Sequence, residues 1–235
     1  MEKWGILGAM QSEVAQLIDA MTDVTTATVA GQTYYEGTLG KRQVVLVQCG
    51  VGKVAAAIGA QVLCDRYGVS ALINTGVAGG LHPDLEVGDI VLGTTALQHD
   101  FNVTALGYAR GYMCCGGDNQ KPTVYTADTA LIRQFRAAAQ PFLGEAKIIE
   151  GPIATGDLFV DSTAIKRKLV AQFGAAAAEM EGAAIAQVAT QNGVPFLIIR
   201  AISDLAEKQA NVSYETFEKL AADRSARIML AMANA

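Results

Sequence analysis

The chain has 235 residues, of which 51% are hydrophobic and 17% charged, so it can bury a large core and is not expected to be disordered. Its 18 basic and 23 acidic residues give a net charge of −5, which argues against the basic surface that nucleic acids and anionic membranes select. The partner is therefore expected to be a small molecule or another protein.

The sequence also predicts where the protein works. No stretch approaches the roughly 20 apolar residues of a membrane-spanning helix, and Glu13 interrupts the short apolar start, unlike a signal sequence. The four cysteines lack the spacing of metal ligands, and the adjacent pair Cys114-Cys115 is no disulfide framework. We expect a soluble cytoplasmic protein with free thiols and no metal site.

Buried strands and helices alternate along the chain, with no internal repeat, linker or break in composition. This alternation predicts one α/β domain over residues 1–235, a three-layer α/β/α fold with a central mixed, twisted sheet covered by helices on both faces. The predicted strands cover 4–9, three short segments within 25–47, 71–74, 88–92, 147–154, 175–179 and 195–202. The first predicted helix has an apolar face formed by Val14, Leu17, Ile18 and Met21. The other predicted helices are 53–67, 128–139, 162–173, 182–192 and a last one from Tyr214. Residues 98–125 are predicted to be irregular.

Two glycine-rich turns follow predicted strands. Gly50-Val51-Gly52 opens a helix as a dinucleotide fingerprint would, but the next strand ends at Asn74-Thr75-Gly76 without the acid that would hold a ribose. Lys53 is followed by valine, which excludes a P-loop. For the first turn, tight backbone geometry and ligand contact stay equally open. For 76–80, a strand end in an open α/β sheet, ligand contact is favoured.

Four ionisable residues stand at strand ends, where such sheets bind ligands: Glu13, Glu181, Arg200 and Asp204. Each has a plainer interpretation. Glu13 and Asp204 suit helix N-termini, Glu179 and Glu181 could form a solvated pair, and Arg200, set in an apolar strand, needs at least a structural ion-pair partner. Taken together, the four residues favour a site.

The chain carries motifs in eight segments: 5–13, 50–55, 74–80, 99–100, 103–105, 155–160, 179–181 and 200–204. The most specific is the combination of Glu179-Met180-Glu181 with Arg200-Ala201-Ile202-Ser203-Asp204. In this order, and over nearly the whole chain, the segments resemble the motifs of the 5′-methylthioadenosine/S-adenosylhomocysteine nucleosidases, a family of the nucleoside phosphorylase superfamily.

The resemblance implies hydrolysis of the N-glycosidic bond of methylthioadenosine and S-adenosylhomocysteine to adenine and a 5′-thioribose, without a cofactor, as part of methionine salvage. It implies that Asp204, supported by Ser203, protonates adenine N7, and that Glu13, helped by Arg200, deprotonates the attacking water. Glu181 and the Met180 backbone would bind the ribose hydroxyls.

The resemblance also assigns the remaining contacts. Phe159 would stack on the base, and the Val160 backbone would contact the purine edge. The other expected substrate contacts are Ala78 and Gly79, the 5′-pocket residues Met10, Val51 and Tyr214, and Val103, Leu106 and Cys114 from the 98–117 loop of a second subunit, because the family forms homodimers.

These residue types suit the reaction, because cleavage leaves positive charge on the ribose and negative charge on the base. Burial would raise the pKa of Asp204 and keep it protonated. Two carboxyl groups divide the labour similarly in glycoside hydrolases.

The chain departs from the family at three positions. Val77 stands where serine is common, which is expected to weaken phosphate binding and favour hydrolysis. Leu106 and Cys114 replace a common phenylalanine and proline, so the preferred 5′-substituent stays open, with 5′-deoxyadenosine and aminofutalosine as alternatives.

Two other functions are weighed against hydrolysis. A purine nucleoside phosphorylase would need basic and hydroxyl groups around Glu13 and Val77, and Lys41-Arg42 suits a solvated hairpin turn better. A non-catalytic nucleoside-binding protein would not require Glu13, Glu181 and Asp204 together.

Overall fold

Strands and helices alternate through residues 3–207 and 210–235, the part of the chain that the computed structural model describes, with the side chains of 211–213 and 215 excepted. The strands are β1 Lys3–Gly8, β2 Met21–Val29, β3 Gln32–Leu39, β4 Arg42–Gln48, β5 Ala71–Gly80, β6 Ile90–Gln98, β7 Tyr125–Thr126, β8 Ile148–Thr155, β9 Ala177–Glu179 and β10 Phe196–Asp204. The helices are α1 Gln11–Asp19, α2 Lys53–Asp65, α3 Thr129–Ala139, α4 Thr163–Phe173, α5 Gly182–Gln191 and α6 Ala210–Asn234, and short 3₁₀ turns lie at Thr104–Leu106 and Gln140–Phe142.

The sheet is mixed, and part of it closes on itself. β5 pairs with β1 and β10 in parallel and with β9 in antiparallel orientation. β10 continues through β6 and β8 to β9, which returns to β5, so five strands form a closed ring. β1 extends the sheet outward to β4, β3 and β2. The expected mixed central sheet is confirmed, and the ring is an addition to it.

Helices cover both faces of this sheet. α1, α3 and α6 pack together, and α6 lies against β10 and β5. α2 and α5 pack against each other, with α2 on β1 and α5 on β6 and β8. The main core cluster draws apolar side chains from the first strand, including Trp4, to the last helix, including Met232. Within the described residues, no helix is long and apolar enough to cross a membrane.

Most predicted elements occur, but several bounds differ. Met21 was expected on the first helix and instead begins β2, because α1 ends at Asp19 and the β-branched residues that follow pair with β3. β5 runs on to Gly80, and β6 to Gln98, since both gain partners inside the ring. The turns expected at Ala30-Gly31 and Gly40-Lys41 join β2 to β3 and β3 to β4, and three of these four residues have φ between +50° and +78°.

Candidate active site

One cavity of about 260 Å³ lies where the carboxyl ends of β1, β5 and β10 meet, facing the segments that follow β8 and β9. Its position is the one expected for a ligand of an open α/β sheet. Among the residues with described side chains, it is lined by Ala9, Met10, Glu13, Val51, Val77, Ala78, Gly79, Leu158, Phe159, Val160, Ala178, Glu179, Met180, Glu181, Ser203, Asp204 and Tyr214. Four of these residues are acidic and none is basic.

Glu13 is held by the start of its own helix. Met10 is the N-cap of α1, and Glu13 Oε2 accepts hydrogen bonds from the amides of Ala9 (2.7 Å) and Met10 (3.0 Å), as the acid of a capping box does. Its Oε1 accepts from the Val77 amide at 3.0 Å. Burial raises the pKa of Glu13, although Arg200 and the amide donors oppose the shift. The carboxyl is therefore fixed in position and binds a proton more readily than an exposed glutamate.

Asp204 reaches the cavity through an irregularity in its strand. Between Ile202 and Asp204, β10 shifts register against β5, and such bulges redirect side chains near active sites. Asp204 Oδ2 accepts from the Ser203 hydroxyl at 2.9 Å, and Oδ1 accepts from the Ala206 amide at 2.8 Å. The residue is 2% exposed, and this burial raises the pKa of its carboxyl. Asp204 is thus suited to carry a proton.

Arg200 is fully buried and ion-paired behind the cavity wall. Its Nη2 donates to Glu179 Oε2 and to Asn74 Oδ1, and lies 3.6 Å from Glu181 Oε2. Its Nη1 has no partner among the described residues. A side chain at Gly76 would collide with both Arg200 Nη1 and Glu13 Oε1, so the guanidinium charge lies beside the Glu13 carboxyl.

Glu179 anchors this cluster. Besides Arg200, its carboxylate accepts from the Thr155 hydroxyl and from the amides of Glu181 (3.0 Å) and Gly182 (2.7 Å). The interpretation of Glu179 and Glu181 as a solvated pair is wrong, because the two residues are only 7% and 5% exposed. The run of small residues before Glu179 lets the strand enter the core, and the acid at its end offsets the charge of Arg200.

Glu181 faces the cavity from the start of α5. Its Oε1 accepts from the Gly52 amide at 2.9 Å, and Gly52 has φ of +97°, a region that favours glycine. The first glycine turn therefore acts through its backbone on a carboxylate, while of its residues only Val51 lines the cavity. Burial and the neighbouring charge of Glu179 raise the pKa of Glu181, against the effect of Arg200.

An aromatic and thioether wall closes the other side. The rings of Phe159 and Tyr214 meet edge to face, with centroids 5.8 Å apart and an interplanar angle of 81°. The Tyr214 hydroxyl donates to Met10 Sδ at 3.0 Å. Phe159 is 42% exposed, so part of its surface is free to contact a ligand. Stacking on a planar ring is a common use of such a side chain.

Twelve of the residues singled out from the sequence thus line one cavity: Met10, Glu13, Val51, Ala78, Gly79, Phe159, Val160, Met180, Glu181, Ser203, Asp204 and Tyr214. Arg200 lies behind it, and Val103, Leu106 and Cys114 do not line the cavity of their own chain. Ligand contact was favoured for 76–80, and Val77, Ala78 and Gly79 line the cavity, whereas Gly76 and Gly80 do not. No site role was predicted for Glu179, Asn74 or Thr155. The signal for them was the buried arginine itself, which requires an acid and polar groups nearby.

The arrangement places three carboxyls with raised pKa values, those of Glu13, Glu181 and Asp204, between apolar and aromatic walls. One acid and one base on opposite sides of a bound molecule can protonate a leaving group and activate water. Within residues 3–207 and 210–235, no group of three or more His, Cys, Asp or Glu side chains is arranged to hold a metal ion.

Comparison with known proteins places the chain in a family. The sequence model of the phosphorylase superfamily matches residues 3–234. A 5′-methylthioadenosine/S-adenosylhomocysteine nucleosidase from Shewanella baltica is 43% identical over 230 residues, 97% of this chain and 94% of that protein.

Solved structures agree with this placement. An enzyme of the same name from Colwellia psychrerythraea, in complex with adenine, superimposes with a TM-score of 0.92 at 38% identity, covering 99% of this chain and 94% of that one. The futalosine hydrolase of Helicobacter pylori gives a TM-score of 0.91 at 30% identity, covering 98% and 97%. The chain belongs to the phosphorylase superfamily and, within it, to the family of 5′-methylthioadenosine/S-adenosylhomocysteine nucleosidases.

Proposed function

We propose that the protein hydrolyses the N-glycosidic bond of 5′-methylthioadenosine and S-adenosylhomocysteine, releasing adenine and the 5′-thioribose product. The observation that carries this proposal is the placement of Glu13, Glu181 and Asp204 around one cavity with an aromatic wall. Family membership agrees with it. A binding protein without activity would need no buried acid beside a buried base.

Asp204 supplies the proton for the leaving base. As the bond from the sugar carbon to the ring nitrogen breaks, negative charge develops on the base, and protonation at N7 neutralises it. The raised pKa of the Asp204 carboxyl keeps it protonated further toward neutral pH, and Ser203 and the Ala206 amide orient it. Phe159 stacks on the base, and the Val160 backbone contacts its edge.

Carboxylates serve the ribose side of the reaction. Glu181, with the Met180 backbone, accepts hydrogen bonds from the ribose hydroxyls, and its charge favours the cationic sugar of the transition state. Glu13 takes a proton from the attacking water. The charge of Arg200 beside Glu13 and Glu181 favours their ionised forms, so the arginine acts on the base without lining the cavity. Ala78 and Gly79 form the floor.

Water is favoured over phosphate as the nucleophile. Phosphate binding in a protein draws on cationic side chains, hydroxyls or helix N-termini, whereas the described lining holds four acidic residues and no basic one. Val77 contributes its amide to Glu13 rather than a hydroxyl to an anion. A phosphorylase reaction would require a dianion to enter a cavity that already holds several carboxylates.

We further propose that the enzyme works as a homodimer in which residues 98–117 of one subunit complete the cavity of the other. Lys53 Nζ pairs with Asp100 (2.6 Å) and lies 3.7 Å from Asp157, so α2 and the segments after β6 and β8 meet at one point. The segments that meet there carry exposed apolar side chains: Val54, next to Lys53 on α2, is 73% exposed, and Leu106, in the segment after β6, is 69% exposed. Exposed apolar groups that gather beside a cavity are typical of a subunit interface.

The 5′-substituent would lie between Met10, Val51 and Tyr214 of one subunit and Val103, Leu106 and Cys114 of the partner subunit. The apolar character of these side chains suits an alkylthio group. We place the enzyme in the cytoplasm, because all four cysteines are free thiols.

The decisive experiment measures adenine release from methylthioadenosine by the purified protein, with and without phosphate. Phosphate-independent formation of adenine and methylthioribose supports hydrolysis, and strict dependence on phosphate contradicts it. S-adenosylhomocysteine, 5′-deoxyadenosine and aminofutalosine are assayed beside it to rank the 5′-substituents. If no substrate yields adenine, the remaining interpretation is a nucleoside-binding protein without catalytic activity.

The dimer is tested separately with Val54→Glu, which places a charge on the proposed interface. Light scattering is expected to show a monomer whose activity is lost. Val170→Glu, at an exposed apolar position on α4, is the matched control and should stay dimeric and active. A monomeric wild-type enzyme with full activity would contradict the proposal.

A further inference from the structure

The segment directly after the proposed acid has an unusual backbone. Ala206 has φ of +52° and is fully buried. For an alanine this left-handed conformation is strained, because its Cβ crowds the backbone, so the surroundings must impose it. The same residue donates its amide to Asp204 Oδ1 at 2.8 Å. The strained turn is therefore one of the two hydrogen-bonding partners that fix the Asp204 carboxyl.

β5 limits the turn on its inner side. A Cβ placed at Gly79 would come within 3.0 Å of Asp204 Oδ1 and 3.1 Å of the Ala206 Cβ. The floor of the cavity and the turn are thus in close contact, with space only for a glycine between them. This contact stops the turn from moving inward, but it does not hold the turn in place from outside.

Lys166 of α4 holds the turn from the outer side. Its ammonium donates to the Leu205 carbonyl at 2.8 Å and pairs with Glu207 Oε1 at 3.1 Å. The lysine side chain is only 15% exposed, whereas the Glu207 side chain is 51% exposed. An exposed ion pair contributes little, so the bond from a largely buried ammonium to a backbone carbonyl is the more important of the two.

The position of α4 connects this contact to the base-binding wall. The helix begins at Thr163, directly after the segment that brings Phe159 and Val160 to the cavity. A lysine on its second turn therefore links two parts of the site, the stacking segment before the helix and the acid turn after β10. Its charge also favours the ionised form of Asp204.

We propose that Lys166 is a positioning residue for catalysis, which holds the Leu205–Glu207 turn in its left-handed conformation so that the Ala206 amide keeps Asp204 directed at the adenine ring. This inference rests on the proposed hydrolysis, because it assigns Lys166 a role in that reaction. Lys166 touches neither substrate nor water and acts only through the turn.

The test compares Lys166→Met with Lys166→Arg and with Lys168→Met, an exposed lysine on the same helix. Lys166→Met is expected to lower kcat for adenine release from methylthioadenosine by about tenfold or more, in the range that a misplaced general acid produces, with KM changed less than threefold. Lys166→Arg keeps a cation and a donor and should recover most of the loss. Lys168→Met should match the wild type.

The pH profile separates positioning from general support of the fold. Among the residues with described side chains, the ionisable groups that interact electrostatically with Asp204 are Lys166 from α4 and Tyr214 from α6. Loss of the lysine charge raises the proton affinity of Asp204, so the basic limb of the kcat profile should move to higher pH in Lys166→Met. A loss of stability alone would lower activity in proportion to folded protein and leave that limb in place.

Three results would overturn the inference. The first is an unchanged kcat in Lys166→Met, the second is a reduced kcat with an unmoved basic limb, and the third is an arginine variant no better than methionine. Failure of the proposed function is distinct, because wild-type protein would then release no adenine from methylthioadenosine at any pH in the absence of phosphate.

Discussion

Asp204→Asn is the sharpest test of the proposed chemistry, because it removes a proton and little else. The asparagine Oδ1 can still accept from the Ala206 amide, and its Nδ2 can donate to the Ser203 hydroxyl, so both contacts of the aspartate are kept. The variant should therefore fold and bind nucleoside, while it can no longer donate the proton to N7.

The expected loss follows from the surroundings of the carboxyl. General acid catalysis contributes about 10²- to 10⁴-fold, which corresponds to about 3 to 5 kcal/mol of barrier. The nearest hydroxyl, Ser203, is too weak an acid to replace it, and Asp204 is 2% exposed, so buffer acids have little access. We expect the upper part of that range.

The assay follows adenine release under single turnover, with ligand binding measured by titration of adenine. Asp161→Asn, an exposed position in the segment before α4, serves as the control and should keep full activity. Adenine release by Asp204→Asn within tenfold of the wild type would refute the assignment of Asp204 as the acid.

The Asp204→Asn variant should also change how the stability of the protein depends on pH. Burial raises the folded-state pKa of Asp204 above its ordinary value of 3.8, so the folded protein binds this proton more tightly than the unfolded chain. The stabilisation is fully present below the unfolded pKa and is lost as pH rises through the folded pKa. The asparagine does not titrate, so the variant does not lose this stabilisation. The difference in melting temperature, variant minus wild type, should therefore increase as pH rises from 4 to 8. A constant difference would contradict the raised pKa.

Further predictions concern the base, its neighbours and a buried thiol. Glu13→Gln should lose hydrolysis but still bind adenine in titration, and loss of binding would indicate a structural role instead. Because burial raises the pKa of Glu13, activity should fall on the acid side as this group is protonated, and the acid limb should lie above pH 4.5, the ordinary value. Gly76→Ala should be inactive and destabilised by about 1 to 3 kcal/mol, measured by urea unfolding, since its Cβ collides with Arg200 and Glu13; wild-type stability would show that the contact relaxes freely. Cys49 is 3% exposed and burial raises the pKa of its thiol to about 12, so iodoacetamide at pH 8 should leave it unmodified in native protein, as read by peptide mass spectrometry, and its modification before the exposed Cys115 would refute this.

The fold could be predicted well because hydrophobic runs and glycine turns mark the ring strands. The predicted bounds were less accurate where strand pairing decides them. β5 continues through Gly76–Gly80, a glycine-rich stretch of low strand propensity, because β10 and β9 pair with it. Propensity cannot register a partner that is distant in sequence. Met21 was misplaced for the same reason, since helical spacing extended past the point where β2 begins.

The site was predicted from chemistry at strand ends and from family resemblance. The sequence could not reveal that Glu179, rather than Glu13 or Glu181, is the nearest ion-pair partner of Arg200, because three acids were available and only packing selects among them. Val103, Leu106 and Cys114 stay predictions, since their proposed contacts involve a second subunit.

The closed ring of five strands has a consequence for how the acid and the base are held. β5 pairs on both sides within the ring, so its amides cannot exchange with solvent deuterium unless neighbouring ladders also open. Val77, whose amide binds Glu13, and Gly79, which backs Asp204, both belong to this strand. Ordering the two carboxyls therefore costs conformational entropy during folding and not when the substrate binds. The slowest-exchanging amides of the protein should lie in the strand beneath Glu13 and Asp204.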